Sequence, residues 1–271
     1  MAIVITDDDA RRLLSMEECI EAMRTAFCDA ADGKAVVLPR VRYESDLLDG
    51  GLRYFANIHV GAVPSYGMAC VRAGSHVLKT DPDRPGWRGY ANPEPVNWSV
   101  IILYDMATSE PVAFLHESHV SGFRVGATSA AAVAAMARPD CTELGLFGTG
   151  RQGRSHYEAI TRVRPIKRVR VFSPNPENRA RFVADMARDG IELVAMDDPR
   201  DVVAGADIIC AATTSKDPVF DGKWLEKGQM VISIANTDLT LERHEVADEV
   251  LIQSEAIVVT DWESVESNRQ I

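Results

Sequence analysis

A glycine-rich turn near the middle of the chain constrains the fold more than any other feature. A short apolar run from Leu144 to Phe147 leads into Gly148, Gly150 and Gly153, spaced as GxGxxG, and then into a segment of helical character. A strand, tight turn and helix in this order can bind a pyrophosphate, because the glycines allow the turn, the approach of backbone N–H groups and close helix–strand packing. The motif alone is also typical of a surface turn, so the flanking sequence must supply a βαβ context.

Short apolar strands alternate with helices from residue 142 onward. The predicted strands are 143–148, 168–173, 191–196, 206–212, 230–235 and 256–260, and the predicted helices are 151–163, 176–189 and 243–254. This alternation indicates a parallel sheet with right-handed crossovers. The predicted fold class is therefore α/β, with a Rossmann-type doubly wound parallel sheet in a dinucleotide-binding domain over residues 139–271.

The first half of the chain is predicted to be an α+β domain, residues 1–138, that binds substrate and dimerises. Thr6 and Ser15 have the spacing of helix caps, and the second helix is expected to stop at Gly33. The strand-like segments are 36–43, 53–58, 68–74 and 99–104. The segment 80–98 is rich in proline, glycine and charge, which is typical either of a lid or of a surface excursion.

A helix of small residues is predicted from Gly122 to Ala137, with Arg124 at its opening. Small side chains let another helix or a cofactor come close.

Composition excludes several classes of protein. The formal net charge of −11 argues against a nucleic-acid partner, since phosphate backbones favour basic surfaces. The cysteines are scattered and form no CxxC pair, which predicts reduced thiols in a cytoplasmic protein and no metal site; they are Cys19, Cys28, Cys70, Cys141 and Cys210. No apolar run reaches the roughly 18 residues that a membrane helix needs, and no signal peptide is expected at the N-terminus.

The residues after the second Rossmann strand bear on the choice of nicotinamide cofactor. An acidic residue there binds the adenosine ribose of NAD, whereas this chain has Ser173 and Asn175. Both can hydrogen-bond a 2′-phosphate, and Arg179 or Arg151 could pair with it. The sequence therefore favours NADP(H), while Glu177 keeps NAD(H) as the alternative. A solvated helix face is the other interpretation of the two arginines.

At this point the chain resembles the ornithine cyclodeaminase and mu-crystallin family. The matching segments are Pro39-Arg40, Arg124 to Ser129, Gly148 to Gly153, Ala212 to Phe220 and Ile232 to Asp238, and their order and spacing match over nearly the whole chain. The resemblance implies nicotinamide-dependent imine or amine chemistry on an α-amino acid skeleton. It also implies a homodimer formed through the first domain.

The resemblance assigns roles to individual residues. Arg40 and Arg124 look like the pair that binds the substrate carboxylate, which suits the bidentate geometry of guanidinium groups. Asp238 matches the family's catalytic carboxylate, which could exchange a proton with the substrate nitrogen; a helix-capping role is its alternative. The residues assigned to the cofactor are Gly148, Thr149, Gly150, Arg151, Gln152, Gly153, Ser173, Asn175, Arg179, Ala212, Thr213 and Ala235.

The chain departs from the family pattern where a lysine is usual and Arg72 stands instead. Arginine cannot act as a neutral base, so Arg72 is assigned to orient or neutralise the substrate. Lys79 would replace the lysine if the register slipped. Arg53 and His76 are further cationic groups in this domain, which suggests a substrate with a second acid, such as iminosuccinate.

Two further departures concern the end of the chain. Asn236 occupies the place of a family glycine, so the turn before Asp238 can differ. Family members also continue into a segment that returns to the first domain, whereas this sequence ends at Ile271. Either that return is absent or the sequence is incomplete.

The predicted function is an NAD(P)H-dependent reductase of a small α-imino acid, ketimine-like or iminosuccinate-like, that runs in reverse as an amino-acid dehydrogenase. One alternative is an ornithine cyclodeaminase-type ammonia lyase that uses bound NAD catalytically. The other is a non-catalytic protein of the mu-crystallin type that binds NADPH and a small ligand.

Overall fold

The computed structural model describes residues 2–47, 52–80, 88–90, 98–215, 217–234, 250 and 253–256. The chain divides into two compact units, Met1–Ser121 and Gly122–Ile271. The sequence predicted a domain boundary at 138/139, after the helix of small residues. Most of that helix instead belongs to the second unit, with which it packs.

The first unit contains two helices and a large sheet. Its elements are β1 (Ile3–Ile5), α1 (Asp7–Leu13), α2 (Met16–Ala31), β2 (Val36–Val37), β3 (Val41–Asp46), β4 (Leu52–Val63), a 3-10 helix (Pro64–Tyr66), β5 (Met68–Thr80), β6 (Arg88–Tyr90), β7 (Trp98–Asp105) and β8 (Pro111–His116). Both helices begin with the predicted capping boxes, in which Thr6 pairs with Asp9 and Ser15 with Glu18. These reciprocal bonds satisfy backbone N–H groups that a helix start leaves unpaired.

The sheet of the first unit has the order β1-β8-β7-β5-β4-β2, with β3 paired to β4 and β6 to β5. Only β1 and β8 run parallel among these pairs; the other described pairs are antiparallel. Directly opposed residues share a face of an antiparallel sheet. Two such rows are His59–Arg72–Ile101 and Asn57–Gly74–Ser99. We call the surface formed by these two rows the polar sheet face.

The second unit is a Rossmann domain, as predicted. Its elements are α3 (His119–Met136, which begins in the first unit), β9 (Glu143–Phe147), α4 (Arg151–Val163), β10 (Arg168–Phe172), α5 (Pro176–Met186), β11 (Glu192–Ala195), α6 (Pro199–Val203), β12 (Ile208–Ala211), a 3-10 helix (Gly222–Trp224) and β13 (Met230–Ser233). All pairs in its sheet are parallel, in the order β11-β10-β9-β12-β13. Counted along the chain this order is 3-2-1-4-5, which belongs to doubly wound dinucleotide-binding sheets. The predicted helix 243–254 and strand 256–260 lie almost wholly outside the described residues.

The strands of the parallel sheet are buried on both faces. Leu144, Leu146, Val169 and Val171 are fully buried on the side of α4 and α5, where Phe182 joins them. On the other side a second core contains Phe147, Val202, Ile209, Ala211 and Phe220. Parallel sheets are stable when helices cover both faces in this way. None of the helices in the described ranges is both long and apolar enough to cross a membrane.

Candidate active site

The three glycines of the central turn each serve a distinct geometric need. Gly148 has a φ of 100°, in the region that favours glycine, and a Cβ there would collide with the Ala212 carbonyl oxygen. A Cβ on Gly153 would collide with the carbonyl oxygen of Gly148, which lets α4 pack directly on the turn. Gly150 differs, because a Cβ there would meet no atom of the described residues within 4 Å. The open space at Gly150 is where a pyrophosphate would approach the backbone, which requires a residue without a side chain.

The helix N-terminus at this turn suits an anion. Gly150 is the N-cap of α4, provides no side-chain cap, and the first turn of α4 contains no acidic residue. The helix start therefore has N–H groups and a dipole available to a phosphate. The amide oxygen of Gln152 is buried there, and it has no hydrogen-bond partner within the part of the chain that the structure describes. These residues fit the pyrophosphate of a dinucleotide.

Ala212 and Thr213 lie beside the same turn, directly after β12. The Ala212 N–H donates to the Phe147 carbonyl at 2.8 Å, and the Thr213 methyl group lies against Gly148. The structure thus brings the predicted cofactor residues of β9, α4 and β12 together. Ala235 and Asp238, which the sequence assigned to the cofactor and to catalysis, lie outside the described residues.

Arg179 is committed to the protein itself. Its guanidinium group donates to the Ser173 carbonyl oxygen at 2.6 Å, pairs with Asp197 and stacks over the Phe172 ring at 5.4 Å. The side chain is nearly buried, at 7% exposure. Asn175 uses its side-chain oxygen to cap α5 by accepting from the Glu177 N–H. The interpretation of Arg179 as a solvated residue is wrong, and its role toward a 2′-phosphate stays a prediction that these contacts weaken.

Arg151 is exposed at the start of α4. Its aliphatic carbons lie over Gly122, so that a Cβ on that glycine would be 3.2 Å from the Arg151 Cγ. Among the described residues no carboxylate forms an ion pair with this guanidinium group. Arg151 is therefore the cation at the glycine turn that is available to a phosphate.

Helix α3 packs closely against α4. A Cβ on Gly126 would overlap with Ser155, whose hydroxyl donates to the Gly122 carbonyl oxygen at 2.6 Å. The predicted close approach of another helix to these small residues is confirmed. Arg124 is exposed, but α3 begins at His119, so Arg124 lies in the second turn. The expectation that it opens the helix is wrong, because His119, Val120 and Ser121 extend the helix toward the N-terminus.

Arg72 lies on the polar sheet face and forms a buried ion pair that the sequence did not predict. Its Nε is 2.9 Å from the Glu117 Oε1, a distance of an ion pair without the alignment of a hydrogen bond. Its Nη1 is 3.1 Å from the Nε2 of His59, which lies on β4 and directly faces Arg72 in the sheet. Glu117 directly follows β8 and is buried, with 1% of the residue exposed. A glutamate between a strand and a helix gives no local signal of a partner on another strand.

The other predicted cations of this unit are placed differently. Arg40 is half-buried and directly precedes β3, where Val41 pairs with Ile58 next to His59. Arg53 forms ion pairs with the carboxylates of Glu44 and Asp46, at 2.9 and 3.0 Å. Lys79 lies on the opposite face of β5 from Arg72, since it comes an odd number of positions after Arg72 along the strand and successive side chains alternate between faces. Lys79 therefore cannot replace the family lysine by a register slip, because β4 and β5 pair in one continuous register.

His76 completes the polar sheet face. Burial and the nearby Arg72 guanidinium lower the pKa of His76, against an opposing effect of Glu117. Its ring stacks on Phe55, with centroids 5.9 Å apart, and its Nε2 lies over Gly74. His76 is therefore a neutral group at pH 7 rather than a further cation.

The glycine turn in a 3-2-1-4-5 parallel sheet defines a dinucleotide-binding protein. The particular family follows from comparison with known sequences. A model of the ornithine cyclodeaminase/mu-crystallin family matches residues 2–269, so the chain belongs to that family, as the motifs predicted.

Three known proteins illustrate the similarity. An alanine dehydrogenase from Archaeoglobus fulgidus is 26% identical over 269 residues, which cover 99% of this chain and 77% of that protein. An N-((2S)-2-amino-2-carboxyethyl)-L-glutamate dehydrogenase from Staphylococcus aureus is 29% identical over 166 residues, 60% of this chain and 47% of that one. The Thermococcus litoralis Delta(1)-pyrroline-2-carboxylate reductase, solved with NADH and L-proline, is 26% identical with a TM-score of 0.76, covering 94% and 74% of the two chains. The chain thus spans less than half of the Staphylococcus relative and about three quarters of the other two.

Proposed function

We propose that this protein is an NAD(P)H-dependent reductase of a small α-imino acid that also runs in reverse as an amino-acid dehydrogenase. The observation that carries the proposal is the bare turn at Gly148, Gly150 and Gly153 at the start of α4. The relatives support the type of reaction, since their names describe dehydrogenases and imine reductases of amino acids. Family membership alone would also allow a cyclodeaminase.

The proposed chemistry assigns a separate role to the cofactor and to each of several side chains. The reduced nicotinamide, when bound, supplies hydride to the imine carbon. The turn from Gly148 to Gly153 holds the pyrophosphate, while Arg40 and Arg124 bind the substrate carboxylate and fix the α-carbon. Asp238 gives a proton to the imine nitrogen, so that hydride and proton together convert C=N into CH–NH.

We further propose that NADP(H) is accepted in preference to NAD(H). Ser173 and Asn175 follow β10, and neither brings a carboxylate that would repel a 2′-phosphate. Arg151 is the cation that would pair with this phosphate, because Arg179 is held by Asp197 and the Ser173 carbonyl. The Thermococcus neighbour contains NADH, so the proposed preference for NADP(H) is supported by Ser173, Asn175 and Arg151 of this chain and not by that neighbour.

The second face of the large sheet supports a homodimer. Alternation along the strands puts several exposed apolar side chains there, opposite the polar sheet face; they are Val4, Val41, Tyr43, Val60, Val100 and Phe114. A contiguous apolar surface of this kind is typical of a protein–protein interface. A second copy of the chain is the partner that we propose.

The test is steady-state oxidation of NADH and NADPH in the presence of α-keto acids with ammonia or methylamine, and of cyclic imino acids, followed at the nicotinamide absorbance band. A reductase consumes the cofactor continuously, and Asp238→Asn should abolish turnover while cofactor binding persists. Ammonia release from ornithine without net cofactor consumption would replace the proposal by a cyclodeaminase. Cofactor binding without turnover on any of these substrates would favour a binding protein.

A further inference from the structure

The charge of Arg72 is balanced inside the protein. Glu117 Oε1 lies 2.9 Å from its Nε and His59 Nε2 lies 3.1 Å from its Nη1. The Arg72 side chain is 19% exposed and the Glu117 side chain 2%. Opposite charges so close in a site with little water largely cancel each other's field at the distance of a bound ligand. Arg72 therefore offers a ligand much less positive charge than a lone arginine.

Two buried oxygens on the same surface add negative potential. Glu117 Oε2 and Asn57 Oδ1, the latter in the row beside Arg72, are buried without a hydrogen-bond partner among the residues that the structure describes. Their potential is weakly screened in a site with little water. A carboxylate bound against this surface would therefore be repelled, whereas a neutral group would not.

Two of the neighbouring basic groups, His76 and Arg53, do not restore a positive charge. His76 has its pKa lowered by burial and by Arg72, and Arg53 is paired with Glu44 and Asp46. Arg42 lies in the Asn57 row on β3, and Arg40 precedes that strand; both have interactions of their own within the protein. Arg40 is assigned above to the α-carboxylate of the substrate.

We propose that Glu117 is a specificity-determining residue that makes the enzyme select against imino acids with a second carboxylate. This inference rests on the proposed function and decides between its two substrate types, ketimine-like and iminosuccinate-like imino acids. By neutralising Arg72, Glu117 favours ketimine-like substrates whose side chain is neutral. Iminosuccinate-like substrates are disfavoured, although arginine count alone suggests the reverse.

The experiment compares kcat/KM for two keto acids of equal chain length with ammonia, oxaloacetate and 2-oxobutyrate, in wild-type protein and Glu117→Gln. Wild-type protein should prefer the monocarboxylic substrate. The substitution keeps the size of the side chain and leaves the Arg72 charge unbalanced, so the ratio of dicarboxylic to monocarboxylic kcat/KM should rise roughly tenfold to a hundredfold. Glu110→Gln is the matched control, since Glu110 is exposed in the turn before β8, and it should leave the ratio unchanged.

A double variant tests whether Arg72 is the cause of the change. Arg72→Met with Glu117→Met removes both charges, an exchange that buried ion pairs often tolerate, and should not raise the ratio. Circular dichroism and cofactor titration establish that each variant is folded. Wild-type preference for oxaloacetate would overturn the inference without any variant, as would an equal rise in the double variant. A protein that reduces neither keto acid nor any cyclic imine fails the proposed function instead.

Discussion

His156 and Ser129 connect α4 to α3 through a hydrogen bond of 2.9 Å between the imidazole Nε2 and the hydroxyl oxygen. The other ring nitrogen, Nδ1, lies 2.7 Å from the Gln152 carbonyl oxygen, which can only accept. Nδ1 therefore carries the proton and donates it, while Nε2 accepts from Ser129. The ring is fully buried, and burial lowers the pKa of His156 to about 4. A neutral histidine thus holds together two helices beside the glycine turn.

We expect this histidine to destabilise the fold in acid. In the unfolded chain the pKa of His156 returns to its ordinary value near 6.5, so protonation favours unfolding between the two values. The free energy of unfolding should fall by roughly 1.4 kcal/mol per pH unit from about pH 6.5 to about pH 4, and this contribution should be constant above pH 6.5. Urea unfolding at a series of pH values measures it.

Two variants separate the titration from the hydrogen bond. His156→Gln should remove this part of the pH dependence. Ser129→Ala should lower the free energy of unfolding by about 1–3 kcal/mol at neutral pH, because Nε2 loses its donor, yet keep the pH dependence. Identical pH profiles for wild-type protein and His156→Gln would contradict the assignment.

Gly150→Ala should affect cofactor binding alone, whereas Gly153→Ala should also affect stability. Space is open around Gly150, whose φ of −78° suits any residue, so Gly150→Ala should leave the melting temperature nearly unchanged and weaken NAD(P)H binding about tenfold or more. Gly153→Ala should lower the melting temperature as well, because its Cβ would collide with the Gly148 carbonyl. Calorimetric titration and thermal unfolding provide the two measurements. Wild-type affinity in Gly150→Ala would place the pyrophosphate elsewhere.

Arg164 should be important for stability because it binds the end of α3. Its Nη2 lies 2.7 Å from the carbonyl oxygens of Val133 and Ala137 and 3.0 Å from that of Ala134, and its Nε is 2.9 Å from the Arg138 carbonyl. These bonds satisfy carbonyls that a helix end leaves unpaired. Arg164→Met should cost about 1–3 kcal/mol of unfolding free energy, since carbonyl oxygens at the end of α3, two of them in part-buried hydrogen bonds, lose a charged donor.

The matched control for Arg164 is Arg168→Met. Arg168 forms an exposed ion pair with Glu192 at 2.8 Å, and exposed pairs contribute at most about 1 kcal/mol. Equal losses of unfolding free energy in the two variants, measured by urea unfolding, would mean that the hydrogen bonds of Arg164 to the carbonyl oxygens stabilise the fold no more than an exposed ion pair does.

Substitutions of Arg151 and Arg179 should have different effects, the first on cofactor binding and the second on stability. Arg151→Ala should raise the KM for NADPH about tenfold and leave that for NADH unchanged, since we propose that Arg151 pairs with the 2′-phosphate. Arg179→Met should lower stability through lost contacts with Phe172 and Asp197 but leave the NADPH/NADH preference as it is. Steady-state kinetics with both cofactors and thermal unfolding distinguish these outcomes. A loss of NADPH preference in Arg179→Met alone would reverse the two roles.

Local patterns in the sequence predicted the Rossmann domain well. Three glycines, each needed for a different steric reason, and the alternation of strands with helices depend on residues close in the chain. The sequence predicts the start of α3 three residues late, at Gly122 instead of His119, although Ser118 directly before His119 is of a residue type that favours helix starts. The short strand Ile3–Ile5 and helix Pro199–Val203 are too brief to show a period.

Pairing between distant residues could not be predicted. Arg72 meets Glu117 only because the register of β5, β7 and β8 aligns them, and no pattern at either position encodes that register. The sequence predicts Arg179 to be a phosphate ligand or a solvated residue. Its ion-pair partner Asp197 lies beyond another strand, so no local pattern indicates that contact. Such contacts depend on the whole sheet rather than on the local sequence.

The contact of Gly126 with Ser155 also limits how α3 can evolve. One side of the helix, with Gly126, Ala127, Ala130 and Val133, is buried, so larger residues there would force α3 and α4 apart. Arg124 lies on the exposed side, where substitutions meet no such penalty. Mutations can therefore accumulate along the exposed side of α3 while its packing against α4 stays unchanged.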